Sequence, residues 1–314
     1  YGGCRDLCKR YDTCRCGVEC ALGFNTTRCD DIVMELQILP DQLIHRPSRR
    51  SGTCEFFSEY EKTQFDLNCD NPRMSDKYKD GTLQYTFNSL GYRTGQLNRF
   101  NDNEFILVFG CSYTEGVGLH EYDIWHSHLS RKFARPIMNL AIGGTGGDVI
   151  RLNSVLYNKN NFPKPKLVIF QWPGDHRRMF ASEDVFHIDP NTPQAGIDGE
   201  CVSDKYFIPK YRRADIEWYQ NRYVAYSEEA QQTVFQNYIT ANTVFNLNGV
   251  PTYNWQYSAD RAENTDNPLL EGYQLKQVDV NGSAHPMARD LMHPGEIPQK
   301  ETYEQIYQEI GELL

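Results

Sequence analysis

From about residue 76 the chain alternates short apolar runs with stretches whose apolar residues recur at helical spacing. "TLQYTFNSLGYRTG", Thr82 to Gly95, reads as a short strand entering a turn. "EFILVFG" is an uninterrupted apolar strand. In "LHEYDIWHSHLSRKF" Leu119, Ile124, Trp125 and Leu129 fall near the spacing of one helix face. "IMNLAIGG" is a second strand that ends in glycine. "GGDVIRLNSVLYN" is a helix with Val149, Ile150, Leu152, Val155 and Leu156 as its apolar face, and "KLVIFQW" is a third, fully apolar strand. A polar insertion over 173–213 shows no clear period. "IEWYQNRYVAYSEEAQQTVFQNYITANTVF" then reads as a long helix or helix pair, "VPTYNWQYS" as a fourth strand, and "PQKETYEQIYQEIGELL" as a closing amphipathic helix. Strands that alternate with helices imply βαβ units and a parallel sheet covered on both faces. The predicted fold class is therefore α/β, and in such sheets reactive groups gather at the carboxyl ends of the strands.

The first 75 residues follow another pattern. Cys4, Cys8, Cys14, Cys16, Cys20, Cys29, Cys54 and Cys69 lie there, and only Cys111 and Cys201 lie beyond. Periodic apolar runs are short in "CRDLCKRYDTCRCGVEC" and in "LPDQLIHRPSRRSGTC". A segment that buries little apolar surface needs a staple. We expect a Cys-rich N-terminal region over 1–75, stapled by disulfides or zinc, and an α/β domain over 76–314. Disulfides are favoured, which fits an extracellular or virion-associated protein better than a cytoplasmic one. If zinc is the staple, Cys4, Cys8, Cys16 and Cys20 are the candidate ligands, with His45 as a nitrogen donor, although the x3 spacings are looser than CxxC knuckles. "NTT" at Asn25 and "NGS" at Asn281 are glycosylation acceptors in form.

The 314-residue chain carries a net charge of -10 and a pI of about 5.3. An acidic surface repels the phosphate backbone, so nucleic acid is an unexpected partner. No apolar run reaches the roughly 18 residues of a membrane span. The chain begins at Tyr1 without a basic-then-apolar leader pattern, which is compatible with a processed leader. The oligomeric state is not legible. Its 20 tyrosines fit sugar-contacting surfaces, with plain packing the favoured reading.

The chemistry centres on "ILVFGCSYTEG", where an apolar strand stops at Gly110-Cys111-Ser112. A serine there points out of the sheet, with backbone N–H groups of the following helix behind it to stabilise an oxyanion. It needs a base, and a group to orient that base. "ARDLMHPGE" places Asp290 and His293 three apart between the last strand and the last helix. That spacing lets the carboxylate reach Nδ1 and leaves Nε2 for the serine. His285 is a rival base. His120, His126 and His128 do not share one helix face, which argues against a metal cluster. "GGTGG" lacks the full phosphate-loop pattern and reads as a tight turn.

These stretches resemble the SGNH hydrolases, also called the GDSL family. "FGCSYTEG" resembles their GDSxTxG block, "NLAIGGTGG" their second block and "RDLMHPG" their last, and "FNSLGYRTG" is similar to the lead-in before the nucleophile strand. The blocks span roughly residues 83–314 in family order. The resemblance implies a three-layer α/β/α flavodoxin-like fold and a serine esterase, without cofactor, that removes acyl groups, O-acetyl foremost, from a small-molecule or polysaccharide ester. It implies Ser112 as nucleophile, His293 as base and then acid, Asp290 as the orienting carboxylate, and the N–H groups of Ser112 and Gly144 as oxyanion donors. Two departures stand out. Cys111 replaces the family's Asp and reads as a small buried support. The third block, GxND, is replaced by "FQWPGDHRR", which has no Asn. Asp175 falls nearest that Asn, but an ionised carboxylate cannot donate to an oxyanion. Gln171, Trp172 or His176 are the substitute donors. Trp172, Arg177 and Arg178 are candidate substrate contacts. The altered block also admits a non-catalytic structural or adhesive module on a virion or cell surface.

Overall fold

The computed structural model describes residues 52–57, 59–174, 178–181, 185–188, 227–257, 275–278, 285–311 and 313. Cys4, Cys8, Cys16, Cys20, His45 and both glycosylation triplets lie outside them. The described residues all fall in the compact unit Leu39–Leu314.

Five parallel strands form the central sheet: β3 (Ile106–Phe109), β4 (Ile137–Asn139), β5 (Leu167–Trp172), β8 (Thr252–Tyr257) and β9 (Leu275–Val278), in the order β4-β3-β5-β8-β9. The first strand of the series has its successor on one side and the remaining three on the other, which is the doubly wound, flavodoxin-like order. Alternation along each strand sorts the core into two layers. Leu107, Phe109, Val168, Phe170 and Trp172 face one way, against Val149, Ile150, Leu156 and Tyr157 of α4 (Gly147–Lys159) and Tyr238, Ala241 and Phe245 of α5 (Ser227–Asn246). Ile106, Val108, Leu167, Ile169 and Trp255 face the other way, against Trp125 and Leu129 of α3 (Trp125–Phe133) and Ile306 and Ile310 of α6 (Glu296–Ile310). A sheet buried on both faces favours apolar residues on both sides of each strand, which is why β3 and the first four residues of β5 read as apolar runs. The structure is thus the predicted α/β/α sandwich. No helix among the described residues is long and apolar enough to cross a membrane.

Two pieces lie outside the sandwich pattern. β1 (Gly52–Cys54) pairs antiparallel with β2 (Tyr85–Phe87), and α1 (Glu59–Asn68) follows β1. Cys54 and Phe57 pack on the buried cluster of Leu83, Tyr85 and Phe87. Residues 52–75, grouped by sequence with the cysteine-rich head, therefore pair and pack with residues beyond 76. Within the polar insertion, β6 (Arg178–Ala181) and β7 (Val185–Ile188) form an antiparallel hairpin. On α4 the expected apolar face is rotated slightly: Val155 is exposed, while Asn153, Ser154 and Tyr157 are buried.

Candidate active site

β3 runs directly into a cramped turn. A Cβ at Gly110 would lie 2.5 Å from Thr114 Oγ1 and 2.7 Å from Gln171 Oε1, so only glycine fits between the strand and the side chains that brace it. Cys111 is fully buried. Its N–H donates to Gln171 Oε1 at 2.9 Å, and its carbonyl accepts from the N–H groups of Thr114 and Glu115 at 3.1 and 2.9 Å. Ser112 opens α2 (Ser112–Glu115), a single turn closed by Gly116 at φ 78°. The sequence suggested one helix from about Leu119; the structure instead has this short turn, then a loop, then α3 from Trp125. A one-turn helix has little macrodipole, so what it can present near Ser112 is individual N–H groups.

The second loop is tied to that turn from inside. Glu115 is fully buried and accepts the N–H of Gly143 at 2.6 Å. Asn139, at the end of β4, donates from Nδ2 to the Thr114 carbonyl and accepts the Ala141 N–H, both at 3.0 Å. Gly144 follows in the left-handed region at φ 77°, and Thr145 Oγ1 donates to the Ile142 carbonyl at 2.6 Å. Beneath lies His126 of α3, with Nε2 3.0 Å from the Thr114 carbonyl and 3.0 Å from Asn139 Nδ2. Burial pushes its pKa down to about 3. It is a neutral, buried imidazole that braces the Thr114 carbonyl.

The last block folds into a tight loop. The Asp290 carboxylate is hydrogen-bonded through Oδ2 to Nδ1 of His293. Its Oδ1 accepts the N–H groups of Met292 and His293 at 3.1 Å each. Burial raises the carboxyl's pKa, but the imidazole beside it and these three hydrogen bonds more than offset that, and Asp290 titrates below its ordinary value. Ala288 N–H donates to the His293 carbonyl at 2.9 Å. Leu291, between Asp290 and His293, is left-handed at φ 57°, a conformation that a branched side chain holds only under constraint. The loop docks on the segment after Ser112. Arg289 N–H donates to the Gly118 carbonyl at 3.0 Å. At Gly118, with φ 77°, a Cβ would stand 2.7 Å from Ala288 Cβ and 3.1 Å from Asp290 Oδ1. The His293 ring meets the Tyr113 ring edge-on, with centroids 5.4 Å apart. Ser112's immediate neighbour thus touches the imidazole. His285, the rival base, instead pairs with Glu301 of α6 at 3.3 Å.

Two sequence candidates are engaged elsewhere. Gln171 is fully buried: its Oε1 braces Cys111 and Thr114, and its Nε2 donates to the Trp172 carbonyl at 3.0 Å. Its amide is spent on holding the serine turn rather than on donating to an oxyanion. Trp172 is also buried, and its indole N–H donates to Asn254 Oδ1 at 2.9 Å. It packs on Phe170 and Tyr238 and is a core residue rather than a substrate contact. Asp175, His176 and Arg177 lie outside the described residues; Arg178 begins β6, and only its backbone is described. Among the described residues no cluster of three or more His, Cys, Asp or Glu is placed to hold a metal ion.

Sequence reasoning missed four residues around these loops. Arg93 is buried and donates to the carbonyls of Glu115, Gly116 and Leu119, gripping the chain just after the serine. Tyr85, Glu61 and Arg289 form a buried group beside the last block. Arg93 sits inside the recognised "GYRTG" lead-in, a usable signal; for Glu61 the sequence holds none.

No family model matches the chain, and no curated protein matches its sequence. Among solved structures, it is similar to the crystal structure of TesA, at 15% identity over 67% of this chain and 99% of that one, with a TM-score of 0.37. It is also similar to an active-site mutant of a family two carbohydrate esterase from Clostridium thermocellum, at 10% identity over 68% of this chain and 64% of that one, with a TM-score of 0.29. Both likenesses are distant, and the architecture stands on the chain's own strand order. That order, β4-β3-β5-β8-β9 in an α/β/α sandwich, is the flavodoxin-like fold that the resemblance to SGNH hydrolases implied.

Proposed function

We propose that the protein is a serine esterase that removes acyl groups, O-acetyl foremost, from a carbohydrate through an acyl-Ser112 intermediate. The observation that carries this reading is the bond between Asp290 and His293 Nδ1, on a loop fastened at Gly118 to the segment that follows Ser112. An imidazole whose Nδ1 proton is held by a carboxylate has Nε2 free to accept a proton. In the proposed reaction Ser112 Oγ attacks the ester carbonyl carbon as Nε2 of His293 takes the hydroxyl proton. The oxyanion is received by the N–H groups of Ser112 and Gly144. The tetrahedral adduct collapses, the C–O bond to the sugar breaks, and His293 returns the proton to the departing alkoxide. Water, deprotonated by the same imidazole, then releases the acid and restores Ser112. With Gln171 and Trp172 engaged elsewhere, the proposed hole has two backbone donors. Each missing donor typically costs about 10²–10³-fold in turnover. The carbohydrate carrier and the acetyl group follow from the family resemblance and the tyrosine-rich composition.

The test pairs a fluorophosphonate probe with p-nitrophenyl acetate on wild type and Ser112→Ala. Labelling and turnover that vanish with the hydroxyl support the esterase; labelling that survives in S112A, or fails in both proteins, removes it. Asp290→Asn, which keeps the shape but loses the charge, should lower kcat by roughly 10³–10⁴-fold. Faster release of acetate from acetylated sugars than from long-chain esters would support the proposed substrate class, and the reverse preference would replace it.

A further inference from the structure

The loop that carries Asp290 and His293 is closed on itself by its own hydrogen bonds. It spans a left-handed leucine, and the Asp290 bonds lie within the loop itself, so they cannot fix it to the sheet. Backbone bonds of Met287 with Arg73 and Ser75 hold its entry, and Arg289 fixes it next to Asp290. Its backbone N–H is bonded to the Gly118 carbonyl, and its side chain is fully buried. Nε donates to Glu61 Oε1 at 2.9 Å, Nη1 to the Leu83 carbonyl at 3.1 Å, and Nη2 to the Glu55 carbonyl. The guanidinium lies over the Phe56 ring, 4.3 Å from its centroid. Glu61 is as buried as its partner and also accepts the Tyr85 hydroxyl at 2.5 Å. That same Tyr85 oxygen accepts the Gly118 N–H at 2.8 Å. One phenol oxygen therefore joins the segment after Ser112 to the carboxylate that holds the residue before Asp290.

We infer that Arg289, with Glu61 and Tyr85, is a positioning device that sets the His293 imidazole against Ser112. The inference rests on the esterase reading for its kinetic arm only. A pair of charges taken wholly out of water is a poor way to gain stability, because desolvation offsets most of the attraction. A planar fork with fixed donors is a good way to hold a backbone in one place. The arrangement meets Gly118 twice, through the Arg289 N–H and through the Tyr85 oxygen. It thereby references the base loop and the nucleophile segment to one rigid point. Misplacing a reacting group by about 1 Å can cost about 10²-fold in rate.

The test uses Arg289→Lys, which keeps the charge opposite Glu61 but loses the fork, and Tyr85→Phe, which removes one oxygen. Phe245→Leu, in the core on the other side of the sheet, serves as a control for lowered stability alone. The expected result is a fall in kcat of roughly 10–100-fold for R289K, a smaller fall for Y85F, KM little changed in both, and unchanged kcat in F245L at a similar loss of melting temperature. A second readout needs no turnover: the low-field imidazole proton of His293, bonded to Asp290, should shift or broaden in R289K and Y85F but not in F245L. Wild-type kcat and an unmoved imidazole resonance in Y85F would overturn the inference, whether or not R289K folds. A wild type without Ser112-dependent labelling would sink the esterase reading instead, and the resonance would still decide the positioning claim.

Discussion

His126 shows how one buried ring can make the fold acid-sensitive. It is 4% exposed, and its Nδ1 has no partner. Its pKa is pushed from 6.5 down to about 3. An unfolded chain takes up a proton there below about 6.5, while the folded chain refuses it until about 3. Stability is therefore whole above that window and falls as pH drops through it, by up to roughly 1.4 kcal/mol per pH unit. His126→Gln, which can keep the donor to the Thr114 carbonyl without titrating, should flatten urea-derived stability between pH 6 and pH 4, on the order of that window. An unchanged pH slope would show that the acid sensitivity lies elsewhere. Asp290 acts in a lower range. Its folded pKa lies below the unfolded one, so its contribution is present above about pH 4 and is lost as pH falls below that.

Among the elements, those buried on both faces were legible and those held by partners were not. β3 and the first four residues of β5 announce themselves as apolar runs and β8 as alternating aromatics, and Ser112, Asp290 and His293 stand near the ends of such strands or the start of the closing helix. β9 was not legible: "LKQV" has only four residues, two of them polar, and becomes a strand by pairing with β8. α1 was missed because its defining residue is a buried glutamate, and a single sequence gives no reason to place a carboxylate inside. The sequence reads a helix from about Leu119, whereas α3 begins at Trp125 and Gly118 seats the loop that carries Asp290 and His293. Gly118→Ala tests that role. With φ 77° and Ala288 Cβ at 2.7 Å, the methyl group has no room. We expect a loss of about 2 kcal/mol or more in stability, read by denaturant melts. Turnover of the surviving folded fraction should fall as well, because the displaced atoms include Asp290 Oδ1.

At the scale of the molecule, the compositional boundary near residue 75 and the packing boundary differ. Cysteine density drops there, but Glu61 pairs with Arg289 across 228 positions of sequence. A chain cut to 76–314 leaves a buried guanidinium without its counter-charge, a defect that typically costs about 3–5 kcal/mol. It should be recovered aggregated, or with a melting temperature well below that of the full chain, and a stable, active 76–314 product would refute this. The bond between Arg289 N–H and the Gly118 carbonyl has a temporal consequence too. Contacts between residues so distant along the polymer are the slowest to pay back their loop-closure entropy. During refolding from denaturant, helical circular dichroism should return first, with Ser112-dependent turnover trailing behind it as a separate, slower phase.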